Sequence, residues 1–253
     1  MGMRLYVVRR ARDQRGITII ETTVMLSVLF ILAGAMAPIV SESVTTARAV
    51  KAKNDASMIA MGIINLQKDL GGDALSFGSL AASTVRTSLA LPDAMATAGS
   101  EPEVDTGDEP TAADDAALPL FVAPGQNVTP ATRKAVRALL RAQRRQWREV
   151  GAESIDDHLR TNRRGYRFRQ PGEYGGWNGP YISAEITGDP WGKQYLVNSR
   201  FLDGQTTAAD ANGSPRKAVF VISSGADGVI DTPFEQPMVD ARSYGDDIVV
   251  RIQ

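Results

Sequence analysis

The sequence predicts an α+β protein in which a long N-terminal α-helix packs on a small C-terminal antiparallel β-sheet. Three observations carry that expectation. Residues 17–40 form an apolar run interrupted by a single charge. The helical pattern then continues to residue 70 with its apolar positions drawn into one stripe. The last third of the chain alternates β-rich runs with Gly, Asp and Pro turns.

The apolar run comes first in the chain. Its 24 residues make about 36 Å of helix at ~1.5 Å per residue, against a hydrocarbon layer of ~30 Å, so one membrane span fits. Glu21 is the charge inside it. A carboxylate near the centre of a span costs roughly 2.5–3.5 kcal/mol, and less toward an end, so it marks a functional position unless headgroups solvate it. Ahead of the run stand five arginines (Arg4, Arg9, Arg10, Arg12 and Arg15) against Asp13, whereas the charges just beyond it nearly cancel. The excess of positive charge places the N-terminus in the cytoplasm.

Beyond residue 40, Ile59, Ile63, Leu66 and Leu70 recur at spacings of four, three and four, one stripe of an amphipathic helix, and Gly71 and Gly72 end it. A helix apolar all round in its first half and on one face in its second suits a rod that projects at one end and packs on a sheet at the other. A solitary anchor has no use for the second feature.

Residues 71–130 turn to Ala, Ser, Thr, Gly and Pro, with eight acidic and no basic residues between Asp93 and Asp115. That composition buries too little apolar surface to fold alone, and the stretch is expected to be an acidic, flexible insertion. Residues 131–253 are left as the C-terminal globular domain. Thr129-Pro130 reads as an N-cap followed by proline at the first helical position, opening a helix to about Val150 with Val136, Leu139, Leu140, Trp147 and Val150 on one side. The opposite face is basic, with 12 Lys or Arg against four acidic residues between Arg133 and Arg169. It offers a docking face for a partner or for the acidic stretch, or else a solvated helix surface. Aromatic interleaving is thin and residues 17–253 carry 23 basic against 28 acidic residues, so nucleic-acid binding is not indicated. Residues 194–201, 217–222 and 248–252 are the expected strands.

The residues also carry a resemblance. Arg12-Asp13-Gln14-Arg15-Gly16 followed by Ile17-Thr18-Ile19-Ile20-Glu21 resembles the leader of type IV prepilins and type II secretion pseudopilins, and Pro38 falls where pilin helices often kink. Ile17 stands where that family usually has Phe. In the C-terminal third, Gly176-Trp177-Asn178-Gly179-Pro180-Tyr181-Ile182, Asp189-Pro190-Trp191-Gly192-Lys193-Gln194-Tyr195, Ser223-Ser224-Gly225-Ala226-Asp227-Gly228 and Asp246-Asp247-Ile248 follow in the order of the signatures of the major pseudopilin. The family's domain is usually more compact than this one, both at residues 73–129 and at the 229–245 loop.

The resemblance implies a pilin-like fold and a structural subunit of a type II secretion pseudopilus. A prepilin peptidase would remove residues 1–16 by cutting after Gly16, the new amine of Ile17 would be methylated, and Glu21 would serve assembly. The implied setting is a single pass through the bacterial inner membrane with a periplasmic C-terminal domain. The implied partners are an inner-membrane assembly platform and other pseudopilins in a helical filament. Alternatives are a type IV pilin or minor pilin of a surface fibre, and an uncleaved membrane-anchored binding module whose basic helix recruits an acidic ligand. Ala35-Met36-Ala37 also resembles a secretory cleavage site, though Glu21 and Pro38 suit it poorly. Arg9-Arg10 lacks the apolar residues that follow a twin-arginine signal.

With no cysteine there is neither a disulfide nor a thiolate site. His158 is the only histidine, and no nucleophile elbow, phosphate loop or dinucleotide fingerprint accompanies it, so no enzyme is expected. Asp227, Asp231, Asp246 and Asp247 are candidate ligands for Ca²⁺, which takes six to eight oxygens. The resemblance supports Asp227, Asp246 and Asp247, while Asp231 follows from spacing alone. The bland alternative makes Asp227-Gly228 a hairpin turn and leaves Asp246 and Asp247 exposed.

Overall fold

The computed structural model describes residues 18–70, 94–104, 128–149, 152–172, 175–202 and 215–252. The leader, Gly16, Ile17, Gly71, Gly72, most of the acidic stretch and Val150 lie outside the described residues. The layout is α+β, a long N-terminal helix followed by a mixed sheet.

Helix α1 spans Ile19–Leu70. It begins where Thr18 can cap it, and its last residue is Leu70. The chain divides into two compact units, Met1–Thr45 and Thr46–Gln253, with the boundary inside α1. In the first unit every described side chain of residues 18–45 is exposed. In the second, Ala52, Ala56, Ile59, Ala60, Ile63 and Leu66 are buried, so the stripe starts one turn and more before the large residues that announce it. The three alanines bring the helix backbone close to what it packs on.

The sheet has seven contributors in two pieces. Strands β1 (Ala94–Ala96), β3 (Ala152–Ser154), β4 (Leu196–Val197), β5 (Phe220–Ser223) and β7 (Ile248–Arg251) form one sheet in the order β3-β1-β4-β5-β7. Strands β2 (Glu103–Val104) and β6 (Val229–Ile230) form a parallel pair. The sheet is therefore mixed where an antiparallel one was expected. Three of its pairings are antiparallel, and β1 runs parallel to β3. The reason lies in the connection: α2 (Pro130–Glu149) stands between β1 and β3, and a helix-bearing crossover returns a strand in the same direction.

Residues 94–104, within the stretch 71–130 read as an acidic, flexible insertion, belong to the sheets. Met95 is completely buried in the middle of the sheet, and residues 94–104 supply both β1 and β2. Ala94, Met95 and Ala96 are too short an apolar run to stand out among acidic neighbours. They are nevertheless long enough to fill the gap between β3 and β4.

Register explains the two cores. Met95 pairs with Val197, Val197 with Val221 and Val221 with Val250, and this row faces the buried stripe of α1. The alternate row, Ala94, Ala96, Leu196, Phe220 and Ile222, faces Trp147 of α2 together with Ile230 and Phe234. Strands covered on both faces read as continuous apolar runs, as β5 does.

Helix α2 opens as the sequence suggests: Thr129 Oγ1 accepts the Thr132 N–H at 3.1 Å, with Pro130 in the first helical position. Val136, Leu140 and Trp147 are buried, but Leu139 is 53% exposed and does not belong to that side. The fourth buried position of the stripe is Arg144, a charged residue on a face expected to be apolar.

Candidate functional site

Two regions hold the residues singled out from the sequence. In the first, Glu21 is exposed in the opening turn of α1, and its N–H donates to Thr18 Oγ1 at 3.3 Å. Thr18-x-x-Glu21 has the spacing of a capping box, a local signal that the resemblance overshadowed. A carboxylate three residues past the cap is also favoured by the positive end of the helix dipole. Among the described residues α1 is the one helix long and apolar enough to cross a membrane. The side chain of Pro38 lies outside the described residues, and α1 continues through its position.

The second region is the pair of loops around residues 223–232 and 244–248. They lie against each other, and two glycines permit it. A side chain on Gly225 (φ +69°) would collide with Asp246, and one on Gly245 (φ +62°) with the Asp231 carboxylate. The four candidate aspartates separate into two pairs. Asp246 Oδ2 accepts the N–H groups of Ala226 at 2.6 Å and Asp227 at 3.1 Å, while Asp227 Oδ1 accepts the Val229 N–H at 2.8 Å, closing the turn onto β6. Asp247 Oδ2 accepts the N–H groups of Asp231 at 2.9 Å and Thr232 at 2.7 Å. Asp227 and Asp246 are exposed, whereas Asp247 is buried.

Burial raises the pKa of Asp247 to about 7 against the pull of those two N–H groups, and its Oδ1 is buried without a hydrogen-bond partner. The pKa of Asp227 is also raised, by desolvation first and by Asp246 as well. Among the described residues no group of three or more His, Cys, Asp or Glu stands together in a way that could hold a metal ion. The oxygens are of the hard kind calcium takes, and one oxygen each of Asp227, Asp246 and Asp247 already accepts main-chain N–H groups.

Helix α2 reaches the same loops from the other side. Arg144 Nε donates to the carbonyl of Asp231 at 2.7 Å, its guanidinium stands 3.9 Å from Asp231 Oδ1, and Trp147 Nε1 donates to the carbonyl of Thr232 at 3.0 Å. The dipeptide Asp231-Thr232 is thus gripped by its carbonyls from α2 and by its N–H groups from Asp247. The sequence signal for Arg144 was its spacing: four residues after Leu140 and three before Trp147, on the buried stripe.

His158 sits in the short helix α3 (Ile155–Leu159), fully buried. Its Nδ1 is 2.7 Å from Tyr166 Oη and its Nε2 is 3.2 Å from Glu153 Oε2. Desolvation lowers its pKa despite the Glu153 charge. Trp177 Nε1 donates to the carbonyl of His158 at 3.0 Å, and both Trp177 and Trp191 pack in the core that includes the buried stripe of α1.

The chain matches no family model, no curated protein and no solved structure.

Proposed function

We propose that the chain is a pilin-like structural subunit, held in a membrane by the first half of α1, processed after Gly16 and assembled into a helical filament through that half. The observation that carries the reading is Glu21 in the first turn of a helix that is exposed over residues 18–45 and buried along one stripe from Ala52 to Leu66, with Gly16-Ile17 just ahead of it in the sequence. Fourteen large apolar side chains exposed between Ile19 and Val44 need lipid or other helices around them, since water-exposed patches of that size are not left uncovered. Once such helices leave lipid for a bundle, a carboxylate at position 21 needs a counter-charge, and the amine of a neighbouring Ile17 supplies one. The type II secretion pseudopilus is the assembly the motif order favours, and a type IV or minor pilin is its nearest alternative.

The second reading, an uncleaved membrane-anchored binding module, draws on the place of Glu21 in the first turn of α1, where the positive end of the helix dipole favours a carboxylate for local reasons. Assembly separates the two. The full chain and its Glu21→Ala variant are expressed with a prepilin peptidase and an assembly platform, and sheared filaments are collected. The wild type should yield filaments and the variant few, although both are inserted and cut. Equal yields from both would remove Glu21 from assembly, and no filament from either would favour the anchor.

A further inference from the structure

We propose that the guanidinium of Arg144 takes the place of a bound cation at the aspartate-rich loops, so that α2, and not calcium, holds residues 223–247 in place. The inference concerns the fold of the loops and stands whether or not the chain assembles into filaments.

Four aspartates lie within 21 residues of two apposed loops, and main-chain N–H groups stabilise the carboxylates of Asp227, Asp246 and Asp247, which leaves Asp231 as the one that faces a cation. The protein supplies one from an unexpected direction. Arg144 is completely buried on the stripe of α2 that otherwise carries Val136, Leu140 and Trp147. A guanidinium does not lose its proton inside a protein, so burying it demands both a counter-charge and hydrogen-bond acceptors. Asp231 provides both: its carbonyl accepts from Nε at 2.7 Å, and its Oδ1 faces the other end of the group at 3.9 Å.

One main-chain carbonyl and one carboxylate oxygen from the same residue are the two kinds of ligand a calcium ion would take there. A divalent ion drawn to the Asp231 carboxylate would stand close to a fixed positive charge in a site of low dielectric, where repulsion is strong. The remaining carboxylates have been given other work. Asp246 and Asp247 each close a turn by accepting two successive N–H groups, and Asp227 accepts the N–H of Val229. Trp147 fixes the neighbouring carbonyl of Thr232, so the helix that brings the cation also sets the height of the loop.

The test is thermal unfolding of the full chain in detergent, in excess calcium and in excess chelator, for the wild type, Arg144→Met and Asp231→Asn. The wild-type curves should coincide in the two buffers. Arg144→Met should melt several degrees lower in both. Asp231→Asn, which keeps the shape and the carbonyl but removes the counter-charge, should also melt lower by the same amount in both. A wild-type melting temperature that rises by several degrees in calcium overturns the proposal. So does an Asp231→Asn loss seen in calcium but absent in chelator, because that is the behaviour of a metal ligand. If Arg144→Met does not fold, Asp231→Asn still decides, since it leaves every packing contact of α2 in place.

Discussion

Asp189 Oδ2 accepts a 2.7 Å hydrogen bond from Ser223 Oγ, joining the Asp189-Pro190-Trp191-Gly192 turn to the end of β5. The other oxygen of Asp189 accepts the N–H groups of Trp191 at 3.0 Å and Lys193 at 2.8 Å. Two stretches more than thirty residues apart, which the sequence presents as separate motifs, therefore share one buried carboxylate.

That arrangement predicts an asymmetry between two substitutions. Asp189→Ala leaves one buried donor, the Ser223 hydroxyl, and two half-buried N–H groups without this acceptor and should cost about 1–3 kcal/mol, the range for one unsatisfied buried group, because water can reach the other two. Asp189→Asn keeps an acceptor for the two N–H groups and can still meet the serine hydroxyl, so it should lose less than half as much. Denaturant midpoints of the two variants check this.

Trp147 tests whether α2 belongs to the fold. Its ring lies 4.7 Å from Phe234 and 5.7 Å from Phe220 between ring centres, and Nε1 holds the carbonyl of Thr232. Trp147→Ala should destabilise by about 3–5 kcal/mol, the range for large aromatic deletions in cores. Leu139→Ala, on the exposed side of the same helix, should stay within about 0.5 kcal/mol of the wild type.

Those two residues also show how far the sequence could be read. The 3.6-residue period placed Val136, Leu140 and Trp147 correctly, because burial of an amphipathic stripe is what that period encodes. It misplaced Leu139, since an apolar residue at the edge of a stripe can fall on either side. It passed over Arg144, since a charge on a stripe reads as an interruption until its partner in a distant loop is known. Strands β4 and β7 fell inside the expected runs and β5 overran its run by Ser223 alone, for the same reason that β1 was missed: Phe220-Val221-Ile222 declares itself, while Ala94-Met95-Ala96 is defined by the neighbours it joins. At the loops, the four aspartates were legible as a set but their pairing was not, because it depends on where Gly225 and Gly245 let the two loops touch.

Met95 carries the corresponding prediction for the sheet. It is completely buried in the core that includes the α1 stripe, so Met95→Ala should cost about 2–5 kcal/mol. Near-neutral behaviour would return residues 94–104 to the status of a dispensable insertion.

Asp247 and His158 should give the domain opposite responses to pH. The pKa of Asp247 rises from an ordinary 3.8 to about 7 through burial, so the folded chain holds a proton that the unfolded chain releases between those values. Its contribution is fully present below about pH 4 and is lost as pH rises through 7. Burial lowers the pKa of His158, so the folded chain refuses a proton that the unfolded chain accepts, and stability from that residue falls as pH drops below 6.5. Unfolding midpoints at pH 5 and pH 8 should therefore show the wild type losing ground to Asp247→Asn as pH rises. A pH-independent difference between the two would mean that Asp247 is ionised throughout.

The central claim, that this is a processed filament subunit, is tested most directly by the intact mass and N-terminal sequence of the protein recovered from membranes of cells that carry a prepilin peptidase. The account predicts a chain that begins at Ile17, with residues 1–16 removed and one methyl group on its amine. A chain that still begins at Met1, or one cut after Ala37, would contradict it.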